Sequence, residues 1–153
     1  MTGVQTCALP ILIALGCDHG GYELKLEIIK YLEEQKLPYK DFGCDSTQSV
    51  DYPVYAKKVG KAIQDGECDK GILICGTGIG ISITANKMKG IRAALCTDCF
   101  SAEATRLHND ANILALGGRV VGPGLAVKIV DTFLHTEFSH DERHQRRIDL
   151  MED

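Results

Sequence analysis

The chain has 153 residues, enough for one domain with a real core and too few for two ordinary ones. Hydrophobic residues make up 44% and charged residues 25%, which excludes a disordered chain; no apolar run approaches the roughly 20 residues that cross a bilayer. A formal net charge of -4, with no long run of Lys and Arg, gives no footprint for nucleic acid.

The first segment is set apart. Thr2 to Ile11, TGVQTCALPI, resembles the translation of a sequencing-adaptor oligonucleotide, and it lacks the basic start and long apolar stretch of a signal peptide. Residues 1–10, Cys7 included, are therefore read as a non-native extension, with the natural chain expected to begin near Leu12. Residues 11–153 are read as a single domain with a helical tail.

Ile11–Leu15 is a continuous apolar run that ends in Gly16 and Cys17, as in a buried parallel strand. After Asp18, His19, Gly20 and Gly21 a helix is predicted from about Tyr22 to Gln35, with Leu24, Ile28, Ile29 and Leu32 at helical spacing. Tyr39–Phe42 reads as a short second strand. Pro53 opens a helix that carries Val54, Ala56, Val59, Ala62 and Ile63 on one side and stops near Gly66. The clearest strand is Gly71–Cys75, followed by the loop Gly76–Gly80 and a helix of about Ile81 to Lys87. Ala93–Cys96 is a fourth strand, Ser101–Asn109 a helix with Ser101 as its N-cap, and Ile113–Gly117 a fifth strand. A last large helix follows Gly122 and Pro123 to near Leu134, and the charged tail is predicted helical around Arg143–Leu150. Five strands alternating with helices imply a three-layer αβα sandwich with a Rossmann-like parallel sheet. Ligands in such folds bind beyond the carboxyl ends of the strands, which selects Cys17–Gly20, Cys75–Gly80 and the turn after Cys96.

Seven cysteines without a secretory signal, several of them in strand-like runs, read as reduced thiols of a cytoplasmic protein. Cys96 and Cys99 form a single C-x-x-C with no second pair of matching spacing, so they are taken as ordinary thiols and no metal is expected.

The loop Gly76-Thr77-Gly78-Ile79-Gly80 follows a strand and opens a helix, so its N–H groups can converge on an anion. Its third glycine comes one residue early for a dinucleotide fingerprint, and no Lys follows as in a P-loop. A tight turn that needs glycine for sterics alone is the bland reading; three glycines and a Thr in five residues favour the anion hole. A strand-end cysteine is usually a small hydrophobe. Cys75 stands beside a helix N-terminus, however, whose N–H groups favour a thiolate over a thiol, as nucleophile or as base. Asp18-His19 lies on the same rim, where a simple N-cap beside an exposed His is the alternative. His108-Asn109-Asp110 closes a helix, where a His also suits the dipole. Arg143 and Arg147 stand one turn apart, which makes either a phosphate clamp or a solvated basic face.

Together these segments resemble the type B ribose-5-phosphate isomerases and the related galactose-6-phosphate and allose-6-phosphate isomerases. The matching stretches are GCDHGGYELK (Gly16–Lys25), DYP (Asp51–Pro53), GILICGTGIGISITANK (Gly71–Lys87), GIRAALC (Gly90–Cys96), HNDANILALGGRVVG (His108–Gly122) and RHQRRI (Arg143–Ile148). They run in colinear order over nearly everything from Ile11 on.

The resemblance implies aldose–ketose isomerisation of a sugar phosphate through a cis-enediolate, without metal or cofactor. It makes Cys75 the base that moves a proton between C1 and C2. Gly76, Thr77, Gly78, Ile79 and Gly80 would hold the enediolate oxygens, the Thr77 hydroxyl included. His108 would protonate the ring oxygen with Asp18 as its helper; His19, Arg119, Arg143 and Arg147 would hold the phosphate; Asn109 would bind the sugar and Tyr52 line the pocket. It further implies a homodimer whose site is shared between subunits, and leaves open whether dimers pair into tetramers. Some relatives place a Glu elsewhere as base; Cys75 points to the thiol type and to the pentose substrate. The alternatives are a hexose-6-phosphate isomerase on the same scaffold and a non-catalytic sugar-phosphate binder.

Overall fold

A computed structural model describes residues 11–153; the expected extension over residues 1–10 lies outside the described residues. Five strands alternate with helices: β1 (Ile13–Cys17), α1 (Tyr22–Glu34), β2 (Tyr39–Asp41), α2 (Tyr52–Gln64), β3 (Lys70–Cys75), α3 (Ile79–Asn86), β4 (Ala93–Leu95), α4 (Cys99–Asn109), β5 (Ile113–Gly117), α5 (Pro123–His135) and α6 (Glu142–Glu152). All strand pairs are parallel, in the order β2-β1-β3-β5-β4. The αβα sandwich expected from the alternation is the one formed. Among the described residues no helix is long and apolar enough to cross a membrane.

The two-residue period of a strand divides the core. From β3, Ile72 and Ile74 pack with Leu114 and Leu116 of β5 against Ile28 and Leu32 of α1 and Ile129 and Phe133 of α5. Leu73 and Cys75 turn to the other face and pack with Ala56 and Val59 of α2 and Ile81 and Ala85 of α3. Cys75 thus points to the side of the sheet where α3 begins.

Several sequence expectations shift. The first strand begins at Ile13 instead of Ile11, because pairing starts opposite Tyr39 of β2 and Lys70 of β3. Val54 is on the exposed side of α2, which starts one residue earlier, at Tyr52. The helix after the glycine loop starts at Ile79 instead of Ile81. Ser101 is not the N-cap of α4: Asp98, in extended backbone, takes that place and its carboxylate accepts the Ser101 N–H at 2.7 Å. The carboxylate wins because the Ser101 hydroxyl is itself a donor to Asp98, at 3.0 Å.

Lys25 is fully buried on the inner side of α1, a position the apolar pattern of that helix left to solvent. Its ammonium donates to Asp41 Oδ1 at 2.8 Å and to the Cys44 carbonyl, which satisfies the charge and ties the segment after β2 to α1. Burial pushes the Cys17 thiol up to about 12, against the lowering influence of Lys25, and pushes Cys96 up to about 11. Both stay protonated at neutral pH and serve as packing groups. Cys96 and Cys99 are free thiols, and among the described residues no group of three or more His, Cys, Asp or Glu is placed to hold a metal ion.

Candidate active site

The strand order reverses direction at β1, with β2 on one side and β3 on the other. At such a switch point the loops leaving two adjacent strands part and open a crevice at their carboxyl ends. Here those loops are Asp18–Gly20 and Gly76–Gly80. They touch: a Cβ on Gly20 would lie 3.0 Å from Gly76 N. Asp18 is buried, donates its N–H to the Ile74 carbonyl at 3.2 Å and accepts the Gly20 N–H on Oδ1 at 2.9 Å. His19 accepts the Val50 N–H on Nδ1 at 3.2 Å, which puts the ring proton of the neutral imidazole on Nε2, free for a ligand.

Cys75 is 4% exposed at the end of β3, and its Sγ accepts the Gly78 N–H at 3.1 Å. That donor sits at the N-cap of α3, so a thiolate at this position would meet both a hydrogen bond and the positive end of a helix. Ile79 N–H turns to Thr77 Oγ1 at 3.1 Å, which leaves the Thr77 hydroxyl proton free to donate outward. Two of the loop's N–H groups therefore build the loop and support the sulfur.

Gly78 holds φ +81°, and a Cβ there would lie 2.5 Å from Leu95 Cδ1 and 2.8 Å from the Leu116 carbonyl carbon. Gly78→Ala is expected to cost about 2–4 kcal/mol from left-handed backbone and overpacking. Thermal unfolding should show it as a Tm lower by roughly 10 °C. An unchanged Tm would mean that the loop takes up another conformation.

Two further groups from the sequence reach this crevice. The Arg119 guanidinium lies over the loop, with Nη1 3.2 Å from where a Gly76 Cβ would be, and the Arg119 backbone N–H donates to the Gly76 carbonyl at 3.0 Å. The Tyr52 ring covers Gly80, whose Cβ would stand 2.5 Å from Tyr52 Cζ. Asp18, His19 and Tyr52 also line a cavity of about 740 Å³ walled by residues 49–54.

The remaining residues assemble elsewhere. α4 connects the parallel strands β4 and β5, so it runs back toward their amino ends over roughly 16 Å. His108 and Asn109, at its last turn, are thus at the opposite edge of the sheet from Cys75. There α6 packs on α4, and His108, Asn109, Arg143 and Arg147 line one cleft of about 380 Å³ with His144. Asn109 Oδ1 accepts from Thr105 Oγ1 at 3.0 Å, and its carbonyl accepts from Arg92 Nε at 2.9 Å. Arg92 also binds Glu152 of α6, while Arg106 binds Asp110 at 2.7 Å and the Thr136 carbonyl at 3.0 Å. These arginines fix the end of α4 to the segments before and within α6; the sequence reading gave neither a role. Every predicted residue lies in one of two groups, and one chain does not bring the groups together.

The family model described as Ribose/Galactose Isomerase matches residues 13–151. The chain belongs to the ribose/galactose isomerase family. It is similar to ribose-5-phosphate isomerase B of Escherichia coli, at 51% identity over 139 residues that cover 91% of this chain and 93% of that one. Its structure is similar to that of Clostridium thermocellum ribose-5-phosphate isomerase B, with a TM-score of 0.91, 54% identity, and coverage of 93% of this chain and 95% of that chain. It is also similar to D-erythrulose-4-phosphate isomerase of Pectobacterium atrosepticum, 42% identical over 149 residues, 87% of this chain and 98% of the relative.

Proposed function

We propose that this protein interconverts ribose 5-phosphate and ribulose 5-phosphate, with Cys75 as the base. The observation that carries the reading is Cys75 Sγ held by the Gly78 N–H at the α3 N-terminus, in a crevice also bounded by Asp18, His19, Tyr52 and Arg119. In the open aldose the thiolate takes the proton from C2. That C–H electron pair forms the C1–C2 double bond, and the C1 carbonyl oxygen becomes an enediolate oxygen facing the Thr77 hydroxyl and the loop. A proton passes from O2 to O1, and the thiol returns its proton to C1 to give the ketose. General-base transfer by a sulfur needs no metal or redox partner.

Ring opening falls to His108, which protonates the furanose oxygen with Asp18 assisting at the sugar hydroxyls, while Asn109 binds the sugar. His19 and Arg119 from one group, and Arg143 and Arg147 from the other, hold the phosphate. Because the two groups stand at opposite edges of one sheet, a working site takes one from each of two copies, and the homodimer is the functional unit. Exposed Ile79 and Ile83 of α3, with Leu95 at the end of β4 and Phe100 in the first turn of α4, supply apolar surface beside the Cys75 group for such a pairing. Free buried thiols suit a reducing, cytoplasmic setting.

Turnover of four-, five- and six-carbon aldose phosphates, each followed by formation of its ketose, tests the reading. The five-carbon substrate is expected to give the highest kcat/KM. A higher value for a hexose 6-phosphate or a tetrose phosphate would reassign the substrate, and no turnover of any of them would leave only a binding role.

A further inference from the structure

The cleft at the end of α4 holds a second imidazole that the reaction as written does not use. His144 stands in the first turn of α6, after its N-cap Asp141. Its ring lies against that of His108, with centroids 4.5 Å apart and planes inclined by 40°. His144 Nδ1 is 2.8 Å from Ser139 Oγ. That oxygen also accepts the Asp141 N–H at 3.2 Å, so the hydroxyl joins the His144 ring to the start of α6. Ser139 is in turn anchored by its N–H to the Leu107 carbonyl, at 3.2 Å, one residue before His108. One short connection therefore ties the His144 ring to the end of α4 that carries His108. Desolvation first, then the neighbouring His108, and also Arg143 and Arg147, hold His144 below the usual imidazole range, while Asp141 opposes them.

We propose that His144 is the positioning residue for His108 in ring opening: an aromatic ring that backs the His108 imidazole and holds it toward the substrate's ring oxygen. This rests on the isomerase reading above. An exposed histidine at a helix end has several rotamers open to it, and a ring stacked on one side removes those that turn away from the cleft. A neutral neighbour does this without repelling the cationic form of His108 that donates the proton, whereas a charged one would oppose it.

The two substrates separate the steps. Ribose 5-phosphate enters as a ring and must be opened; ribulose 5-phosphate, with its terminal oxygen esterified, has no furanose form and reaches the enediolate directly. Solvent deuterium uptake at C1 of ribulose 5-phosphate, followed by NMR, thus reports proton transfer without ring opening. Two variants are compared in both assays. His144→Phe keeps an uncharged ring and loses the nitrogens; His144→Gln keeps a polar group and loses the ring.

The expected result is that H144Q lowers kcat on ribose 5-phosphate by about tenfold with KM within about twofold, while H144F stays within about threefold of the parent. Deuterium uptake from ribulose 5-phosphate should stay within about twofold of the parent in both. Equal loss in the two variants would overturn the proposal, because a ring would then not suffice. So would a raised KM with kcat kept, which would make His144 a phosphate ligand, or full activity in both. Loss of deuterium uptake as well would place His144 in the proton-transfer step instead. A parent enzyme that neither turns over ribose 5-phosphate nor exchanges ribulose 5-phosphate would overturn the isomerase reading itself, and this role with it.

Discussion

Cys75→Ala should lower kcat for ribose 5-phosphate by about a thousandfold, within the range spanned by loss of a positioned general base. The dissociation constant of ribose 5-phosphate, measured by calorimetry on the inactive variant, should change by less than about threefold. The asymmetry follows from placement. Cys75 is buried at the strand end and receives a single N–H, from Gly78, whereas the phosphate is assigned to other side chains, His19, Arg119, Arg143 and Arg147. Deleting the sulfur removes the proton acceptor and one hydrogen bond to the loop. Cys75→Ser separates these contributions: its hydroxyl can keep a partner for Gly78 but is a far weaker base than a thiolate, so it should be as slow as the Ala variant. Turnover within tenfold of the parent in either variant would move the base to another residue.

The second large effect is a recovery. Cys75→Ala and His108→Ala, each nearly inactive alone, are expected to regain about one quarter of parental activity when their subunits are mixed and allowed to exchange. Random exchange makes half the dimers mixed. In each mixed dimer one site combines the intact Cys75 group of one chain with the intact His108 group of the other, and the second site combines both defects. The geometric basis is that α4 carries His108 away from the strand ends where Cys75 sits, and the two groups line separate clefts. Absence of recovery, with exchange shown by mass spectrometry of differently tagged subunits, would mean that each chain closes its own site.

Much of this arrangement was legible in the residues. Strand β3 and its loop were readable because a run of buried aliphatics ending in Cys-Gly-Thr-Gly has few other uses, and β5 came out with the bounds Ile113–Gly117 expected of it. The crevice at Asp18 and Gly76 followed from parallel topology alone. What escaped depended on partners distant in the chain. Lys25 reads as a surface lysine until Asp41 and the Cys44 carbonyl are seen to meet it. Val54 fits the apolar stripe of α2 by spacing, yet it faces out beside Tyr52. Asp98 displaced Ser101 as the cap by a contest between two adjacent polar groups that propensity does not resolve. His144 was visible as part of RHQRR, but only its stack on His108 and its bond to Ser139 single it out from the exposed residues around it. Its position three residues after Asp141, within the first turn of a helix, was the one signal available beforehand.

The separation of the Cys75 and His108 groups to opposite edges of a single sheet also bears on how such a protein can diversify. If each chain brings half of two sites, as proposed, then after gene duplication one copy can lose its thiol and the other its ring-opening histidine, and a mixed pair still keeps one complete site. Two chains that each look catalytically incomplete can therefore form one competent enzyme. Inheritance then acts on the pair, and the surface that joins the copies becomes as much an object of selection as the residues that touch the sugar.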